Sequence, residues 1–225
     1  YAYVMERSNC LLGPYGTLGM IVPVSISGTD GFQSLRNLLL PIDRTSWCIS
    51  FAERPSKLFT GVEKRLGIWL TNKIETAENL YTSKYYRWLS EERASLFATI
   101  RFTHKGGVRD LVGSSIPKIA TTTERSILEK IGRQKRLDSF WAKSPKHNVY
   151  YTRKVRYFVQ FFDFVPEIRD SNYNMIPPSE LKVIDLSTSR EKDLVIAILN
   201  SGLFFWFFNA YSDVRNVNRR EIEAF

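Results

Sequence analysis

Residue types that build disulfides, metal sites and acid–base centres are scarce in this sequence. Its 225 residues include two cysteines, Cys10 and Cys48, and two histidines, His104 and His147. Their number and wide spacing exclude a Cys₄ or Cys₂His₂ zinc site, so we predict no metal. Both cysteines stand among apolar residues. We expect them to be reduced, buried thiols of a cytoplasmic protein.

Motifs that carry common chemistry are also missing. Neither a glycine-rich phosphate loop, of the form GxxxxGKS/T or GxGxxG, nor a GxSxG nucleophile turn occurs in the sequence. The two histidines have no evident serine or cysteine partner. Asp163 and Glu167 are spaced so that they can pair, but nothing nearby suggests a metal site. We therefore assign no catalytic residue.

The longest apolar stretch is too short and too interrupted for a membrane span. Residues 194–208 fall short of the roughly 20 residues that cross a bilayer, and Asn-Ser-Gly at 200–202 interrupts them. Thr188 and Glu191 have the spacing of a capping box. We predict two buried helices, the second capped by Ser201, and no membrane anchor. The start of the chain shows neither a signal peptide nor an initiator methionine, and we expect a fragment.

Positive charge, by contrast, is in excess. Lysine and arginine number 32 against 23 aspartates and glutamates, so the net charge is 32 − 23 = +9, and the pI is near 9.6. The chain is 44% hydrophobic, which is enough for a substantial core. A folded protein with this charge is expected to bind an anionic partner, nucleic acid before an acidic membrane surface. A basic protein without such a partner is the alternative.

Hydrophobic periodicity predicts two domains. Residues 1–80 alternate helical segments with short apolar strands such as "TLGMIV" (17–22), as in an α/β layered domain. Eighty residues are too few for a complete doubly wound sheet, so we expect them to form the C-terminal portion of a doubly wound α/β domain. A connector helix is predicted over about 81–97. Residues 81–225 are predicted to form a second domain of mixed α+β type.

Four clusters beyond residue 100 mix basic residues with aromatic or small polar ones. Arginine and lysine neutralise phosphates, arginine and asparagine read base edges, and aromatic rings stack on unpaired bases. Tyr151 and Tyr157 belong to the third cluster. Each cluster is also compatible with a charged face that only meets solvent. The predicted DNA-binding residues of the clusters are Arg101, Lys105, Arg109, Arg133, Lys135, Arg136, Arg153, Lys154, Arg156, Arg215, Asn216, Asn218, Arg219 and Arg220.

Three stretches of the chain share their order and spacing with a known family. They are "LLGPYGTLGMIVPVSISGTDGFQSLRNLLL" (11–40), "FAERPSKLFTGVEKRLGIWL" (51–70), and "AILNSGLFFWFF" followed by "RNVNRREIEAF" (197–225). Together they resemble adenine-specific DNA methyltransferases of restriction–modification systems, including fused restriction–methylation enzymes. The resemblance implies the end of a doubly wound methyltransferase domain followed by a target-recognition domain. Members of the family flip an adenine out of duplex DNA and methylate its amino group from S-adenosylmethionine.

The resemblance also implies roles for one loop. In the family, an aromatic residue in the loop before the last strand of the methyltransferase sheet stacks on the flipped adenine. Phe59 occupies the matching place in this sequence, and Lys64 and Arg65 follow it in the same loop. The resemblance therefore implies base stacking by Phe59 and phosphate contacts by the two cations. Ordinary core or loop packing is the alternative for Phe59.

Two motifs of the family are missing from this chain, namely the Gly-rich cofactor loop and the Asn-Pro-Pro-aromatic motif. "MIPPSE" (175–180) has Ile176 in place of the asparagine and Ser179 in place of the aromatic residue, and we interpret it as a loop. The resemblance thus implies a fragment that binds double-stranded DNA, while S-adenosylmethionine belongs to the full-length parent. A missing N-terminal half or a partner subunit would complete the pocket.

Two other functions remain as alternatives. One is an RNA-binding module with basic strands and stacking aromatics, which predicts a preference for single strands. The other is a peripheral membrane protein that exposes residues 204–208. That stretch lacks the cationic face of an interfacial helix, so membrane binding is the least favoured.

Overall fold

The computed structural model describes residues 1–40, 44–73, 80–106, 108, 110–142, 146–155, 157–178 and 180–225. The chain forms two compact units, Tyr1–Arg133 and Gln134–Phe225. Both units contain helices and strands, so the chain is of mixed α/β type, in agreement with the coarse prediction. The division after Arg133 differs from the predicted boundary near residue 80.

The first unit is built around one mixed sheet. Its helices are α1 (Ala2–Leu11), α2 (Ser25–Gly28), α3 (Gln33–Leu39) and α4 (Thr122–Ile131), with 3₁₀ turns at Asp30–Phe32, Ser90–Ala94 and Phe97–Thr99. Its strands are β1 (Thr17–Pro23), β2 (Thr45–Phe51), β3 (Leu66–Asn72), β4 (Leu80–Tyr86) and β5 (Thr103–His104).

The strand order in this sheet is β1-β3-β2-β4-β5. β3 runs antiparallel to both β1 and β2, and β4 runs parallel to β2. β1, β2 and β4 therefore point in the same direction, and α2 and α3 lie in the connection from β1 to β2. Mixed sheets of this kind are common in α/β proteins. The carboxyl ends of the three parallel strands, at Pro23, Phe51 and Tyr86, share one edge of the sheet.

Buried apolar side chains form two clusters in this unit. One contains Met5, Val22, Ile26, Leu39, Cys48, Trp69, Leu80 and Ile116. The other contains Ile49, Phe51, Leu58, Leu66, Tyr86, Trp88 and Leu96. Since β2 contributes alternate side chains to both clusters, it lies between them and is buried on both faces. This position explains why "SWCISF" is a nearly continuous apolar run rather than an alternating one.

The two cysteines have different surroundings. Cys48 is buried in β2, as predicted, and this burial raises the pKa of its thiol. Cys10 is exposed, contrary to the prediction of a buried thiol. The reason is that α1 buries only Met5 and Asn9, so its opposite face meets solvent.

A strand occupies the place of the predicted connector helix over about 81–97. The residues "LYTSKYY" form β4, which pairs with β2. The rest of the predicted helix contains only short 3₁₀ turns. Aromatic and β-branched residues favour strands, and pairing with β2 outweighs the helical spacing of this segment. The chain beyond β4 stays within the first unit. For example, the Ile116 N–H donates to the Ser27 carbonyl at 2.8 Å.

The second unit combines a small sheet, a hairpin and three helices in its described residues. The sheet has the order β10-β6-β7, and β8 pairs with β9 in the hairpin. Its elements are a 3₁₀ turn (Leu137–Phe140), β6 (His147–Thr152), β7 (Phe161–Phe162), β8 (Ile168–Arg169), β9 (Met175–Ile176), β10 (Leu181–Leu186), α5 (Ser189–Leu199), α6 (Gly202–Tyr211) and α7 (Arg219–Ala224).

The apolar stretch near the C-terminus forms two helices, α5 and α6, as predicted. Thr188 and Glu191 form the capping box of α5, and Ser201 Oγ accepts the Phe204 N–H at the start of α6. Four aromatic residues of α6 are fully buried, namely Phe204, Phe207, Phe208 and Tyr211. Within the described residues, no single helix is long and apolar enough to cross a membrane. α5 and α6 satisfy length and composition only as a pair, with a 63° bend between them.

Candidate nucleic-acid interface

Two of the predicted basic clusters lie side by side in the second unit. The Val155 N–H donates to the Arg215 carbonyl at 3.0 Å, and the Val217 N–H donates to the Arg153 carbonyl at 2.8 Å. Lys154 and Asn216 face each other in this antiparallel bridge. We call residues 153–155 and 215–217 the basic ribbon. It brings together, through one isolated bridge, cations that are far apart in sequence.

Buried valines anchor the basic ribbon. Val155 and Val217 are buried, while Lys154 and Arg215 are exposed on the same two bridged segments. Apolar burial therefore orients the two backbones, because the valines cannot reach solvent without exposing apolar area. The cations on these strands are displayed on an ordered backbone rather than on a loose arm.

The turn that leads from α6 into the ribbon is held by two polar side chains. Ser212 Oγ accepts the Val214 N–H at 2.9 Å, and Asp213 Oδ1 accepts the N–H groups of Arg215 at 2.9 Å and Asn216 at 3.3 Å. Val214 has φ of 60°, a left-handed conformation that is unusual for a β-branched residue. These bonds and the burial of Val214 hold it there, so the direction of the chain after α6 is fixed.

Asn218 and the first turn of α7 extend the same region. Arg153 Nη2 donates to Asn218 Oδ1 at 3.1 Å, and Glu221 Oε2 accepts the Asn218 N–H at 2.7 Å at the start of α7. Arg219 Nε then donates to Glu223 Oε1 at 2.7 Å. Arg153 and Asn218, both predicted to bind DNA, therefore link the ribbon to α7.

A third predicted cluster reaches α7 through Glu223. Arg136 Nε donates to the Glu223 carbonyl at 3.2 Å, and Trp141 Nε1 donates to Glu223 Oε1 at 3.3 Å. Arg136 also lies 3.7 Å from an Asp138 carboxylate oxygen. Its neighbour Lys135 is exposed, with Nζ 5.1 Å from the centre of the Phe140 ring.

The carboxylates beside these cations divide them into two groups. Lys154 pairs with Glu180 at 3.1 Å, and Arg219 pairs with Glu223, but both cations remain well exposed. Exposed ion pairs contribute about 0–1 kcal/mol, so a phosphate can replace the carboxylate. Arg220 is different, because its partner Glu221 is fully buried and lies 2.8 Å away. Arg220 therefore stabilises the second unit from within.

Burial raises the pKa of Glu221, and the adjacent Arg220 opposes that shift. A buried carboxylate needs a cation or hydrogen-bond donors to remain charged. Arg220 Nε and the Asn218 N–H supply two such donors, at 2.8 Å and 2.7 Å. This arrangement is the ordinary chemistry of a buried ion pair, and it leaves Arg220 only partly accessible.

Among the predicted cations of the first unit, Arg101 is exposed and Lys105 is only partly exposed, and both have partners there. Arg101 donates to the carbonyls of Ala98 and Ile100, and Lys105 pairs with Asp110 at 2.7 Å. Arg133 is exposed after the end of α4. Two further predicted residues, Arg109 and Arg156, lie outside the described residues.

Phe59 lies in the loop between β2 and β3, at the carboxyl edge of the parallel strands. Its side chain is 44% exposed. The loop begins with Ala52, whose N–H donates to the Tyr86 carbonyl at 2.8 Å, and it ends with Arg65, whose carbonyl accepts the Val24 N–H at 3.0 Å. Phe59 is therefore not a core residue. Its loop lies at the carboxyl ends of the parallel strands, where α/β sheets bind ligands.

The two cations of this loop differ in accessibility. Lys64 is exposed, whereas Arg65 pairs with Glu53 at 3.2 Å and both side chains are mostly buried. Arg65 also hydrogen-bonds to Tyr85, whose pKa burial raises to about 12. Lys64 is thus accessible to an anion, and Arg65 is held within the unit.

Sequence reasoning missed the acidic residues that shape this surface. Asp213, Glu180 and Glu223 each bond to part of the ribbon or of α7. One signal was present, since Arg219 and Glu223 have the i,i+4 spacing of a helical ion pair. Glu180 had no such signal, because its contact with Lys154 depends on the pairing of β6 with β10.

No group of three or more histidine, cysteine, aspartate or glutamate side chains suited to a metal ion occurs in the part of the chain that the structure describes. Neither a protein-family model nor a curated protein matches the sequence.

Proposed function

We propose that this chain is the DNA-binding, target-recognition part of a site-specific adenine DNA methyltransferase. The observation that carries the proposal is the basic ribbon, in which Lys154 and Arg215 are exposed on two bridged segments anchored by buried valines. Cations held on an ordered backbone lose little freedom when they meet the regularly spaced phosphates of a duplex. A net charge of +9 adds a long-range attraction for the same partner.

The first unit is consistent with the methyltransferase part of the proposal. Parallel strands β1, β2 and β4 end at one edge, as in a doubly wound sheet, and the loop bearing Phe59 lies at that edge. We assign Phe59 to stacking on the flipped adenine and Lys64 to a nearby phosphate. Arg65 supports the loop through Glu53.

Cofactor binding is assigned to the full-length parent. The sequence contains neither the Gly-rich cofactor loop nor the Asn-Pro-Pro-aromatic motif. The residues present therefore do not form an S-adenosylmethionine pocket. What this chain supplies is contact with the duplex and with the extruded base.

Binding to single-stranded RNA is the second candidate, and one observation favours it. Tyr150 and Phe162 are directly opposed on β6 and β7, and both are only half-buried. They lie on the sheet face opposite buried Tyr151 and Phe161. The Phe162 ring lies 5.3 Å from that of exposed Phe164, so three aromatic rings are available for stacking.

The salt dependence of binding tests the proposal. The variant Lys154→Ala/Arg215→Ala removes two cations from the ribbon. The matched control Lys146→Ala/Arg190→Ala also removes two exposed cations. Lys146 precedes β6 and Arg190 follows β10, so they lie at the end of this strand pair that is opposite to the ribbon.

We expect the ribbon variant to bind duplex DNA more weakly. A plot of log affinity against log salt concentration should also become less steep, by about 0.9 in slope for each phosphate contact removed. The control should retain the wild-type slope. Equal slopes for both variants would overturn the proposed role of the ribbon. Tighter binding of single-stranded RNA than of duplex DNA at matched salt would select the second candidate, and binding only to acidic liposomes would reject both.

A further inference from the structure

Tyr157 is an exposed aromatic residue on a loop that is attached at both sides. Its ring is 83% exposed. On the N-terminal side, Val155 is buried and bonded to Arg215 in the basic ribbon. On the C-terminal side, the Phe158 ring lies 4.4 Å from that of Phe205 in α6, and Val159 is buried. Tyr157 is therefore exposed two residues after the ribbon in sequence, between Val155 and Phe158, which are both held in place.

An exposed tyrosine in this setting is suited to stacking on a nucleobase. The aromatic face offers a large contact area, and only two side-chain torsions must be fixed when it binds. Cations in the adjacent ribbon attract the phosphates that flank the base. Bases within an intact duplex already stack on their neighbours, so the ring is available only to a base that is unpaired or extruded.

A second exposed tyrosine of the same unit lacks this setting. Tyr173 is 80% exposed at the turn of the β8–β9 hairpin. The neighbouring Asp170 carboxylate accepts the N–H groups of Asn172 and Asn174, and hydrogen bonds from the Asn174 backbone are the main cause that lowers its pKa. A persistent negative charge beside Tyr173 disfavours phosphate there, which makes Tyr173 a matched control for exposure.

We infer that Tyr157 stacks on an unpaired base of DNA, other than the adenine assigned to Phe59, whose flanking phosphates contact the basic ribbon. The inference rests on the proposed function and deepens it, because it names a base-contacting residue in the second unit. Tyr157 then acts on the base and the ribbon acts on the backbone. The two contributions differ in salt dependence, since stacking releases no counterions.

The test uses the 225-residue chain and two fluorescent duplexes. One carries a single extrahelical 2-aminopurine, and the other has the same base paired. Tyr157→Ala should weaken binding to the extrahelical duplex by about 5- to 100-fold, the range expected for loss of one base–aromatic stack. Its salt slope should equal that of the wild type. Tyr157→Phe keeps the ring and should bind like the wild type, as should Tyr173→Ala.

The fluorescence of the extrahelical 2-aminopurine supplies a second readout. Stacking should quench it in the wild type and in Tyr157→Phe, but not in Tyr157→Ala. Wild-type affinity and quenching in Tyr157→Ala would overturn the inference, and so would a reduced salt slope in that variant. If Lys154→Ala/Arg215→Ala reduces the salt dependence of binding while Tyr157→Ala binds like the wild type, the inference about Tyr157 is wrong and the proposed role of the ribbon stands. Failure of the wild type to bind either duplex overturns both proposals.

Discussion

The side-chain amide of Asn200 bonds to both backbone polar groups of Phe161. Asn200 Nδ2 donates to the Phe161 carbonyl at 2.9 Å, and the Phe161 N–H donates to Asn200 Oδ1 at 3.1 Å. Asn200 thus ends α5 and at the same time holds strand β7 in place. One side chain joins the break between two helices to the edge of the small sheet.

Replacement of Asn200 should destabilise the second unit. Asn200→Ala leaves a partly buried N–H and C=O without their partner, so we expect a loss of about 2 kcal/mol in the free energy of unfolding. Asn200→Asp keeps an acceptor for the N–H but places a carboxylate against a carbonyl, and it should also be destabilising. Urea unfolding would measure the loss, and hydrogen exchange of Phe161 would locate it. Wild-type exchange at Phe161 in Asn200→Ala would contradict this role.

Arg36 should be essential to the packing of the first unit. Its buried guanidinium donates to the carbonyls of Ile26, Thr29 and Ser114, and to Ser114 Oγ, at 2.7–3.0 Å. Arg36→Ala leaves these acceptors unpaired, and we expect a loss of about 3 kcal/mol in the free energy of unfolding. Arg36→Lys cannot reproduce the planar fork and should recover only part of the loss. Exposed Arg7→Ala is the control, and equal unfolding midpoints for Arg7→Ala and Arg36→Ala would refute the prediction.

Arg215 and Arg220 should separate affinity from stability. Arg215→Ala removes an exposed cation, so it should lower DNA affinity and leave the unfolding midpoint unchanged. Arg220→Ala leaves buried Glu221 without its cation, so it should lower the free energy of unfolding by about 3 kcal/mol. Thermal unfolding and DNA titration of both variants would test this division. A larger stability loss in Arg215→Ala than in Arg220→Ala would be incompatible with it.

Glu221 should make the second unit less stable as the pH rises. Its pKa in the folded state is raised above the ordinary 4.5, chiefly by burial. Between these two pKa values the folded state binds more protons than the unfolded state, so stability falls with rising pH through that window. The contribution is fully present below the unfolded pKa and is lost above the folded one. Glu221→Gln cannot titrate, and its stability should therefore depend less steeply on pH above 4.5; an unchanged pH profile would exclude Glu221 as the source.

Elements with strong local signals were predictable from the sequence. The break between α5 and α6 follows from the Asn-Ser-Gly interruption and the two caps, and the predicted strand "TLGMIV" forms β1, which ends at Pro23. In each case a few adjacent residues contain both the pattern and the signals that end it. The structure agrees with these predictions because they do not depend on contacts with residues far away in the chain.

β4 shows why other elements were not predictable. Its residues carry a helical spacing, yet they form a strand because β2 supplies a parallel partner from an earlier part of the chain. The exposure of Cys10 is a similar case, since it depends on which face of α1 packs on the sheet. Choices of this kind are settled by pairing and burial, which a local pattern does not specify.

The sequence by itself determined the excess of positive charge, the scarcity of metal ligands, the capped helices near the C-terminus and the α/β character of the chain. Tertiary structure alone decided that Lys154 faces Asn216, that Arg220 is used internally, and that Tyr157 is exposed. The physical reason is that composition and short-range periodicity act through neighbouring residues. Strand pairing and burial, in contrast, join residues far apart in the chain, and they decide which charges remain accessible to a partner.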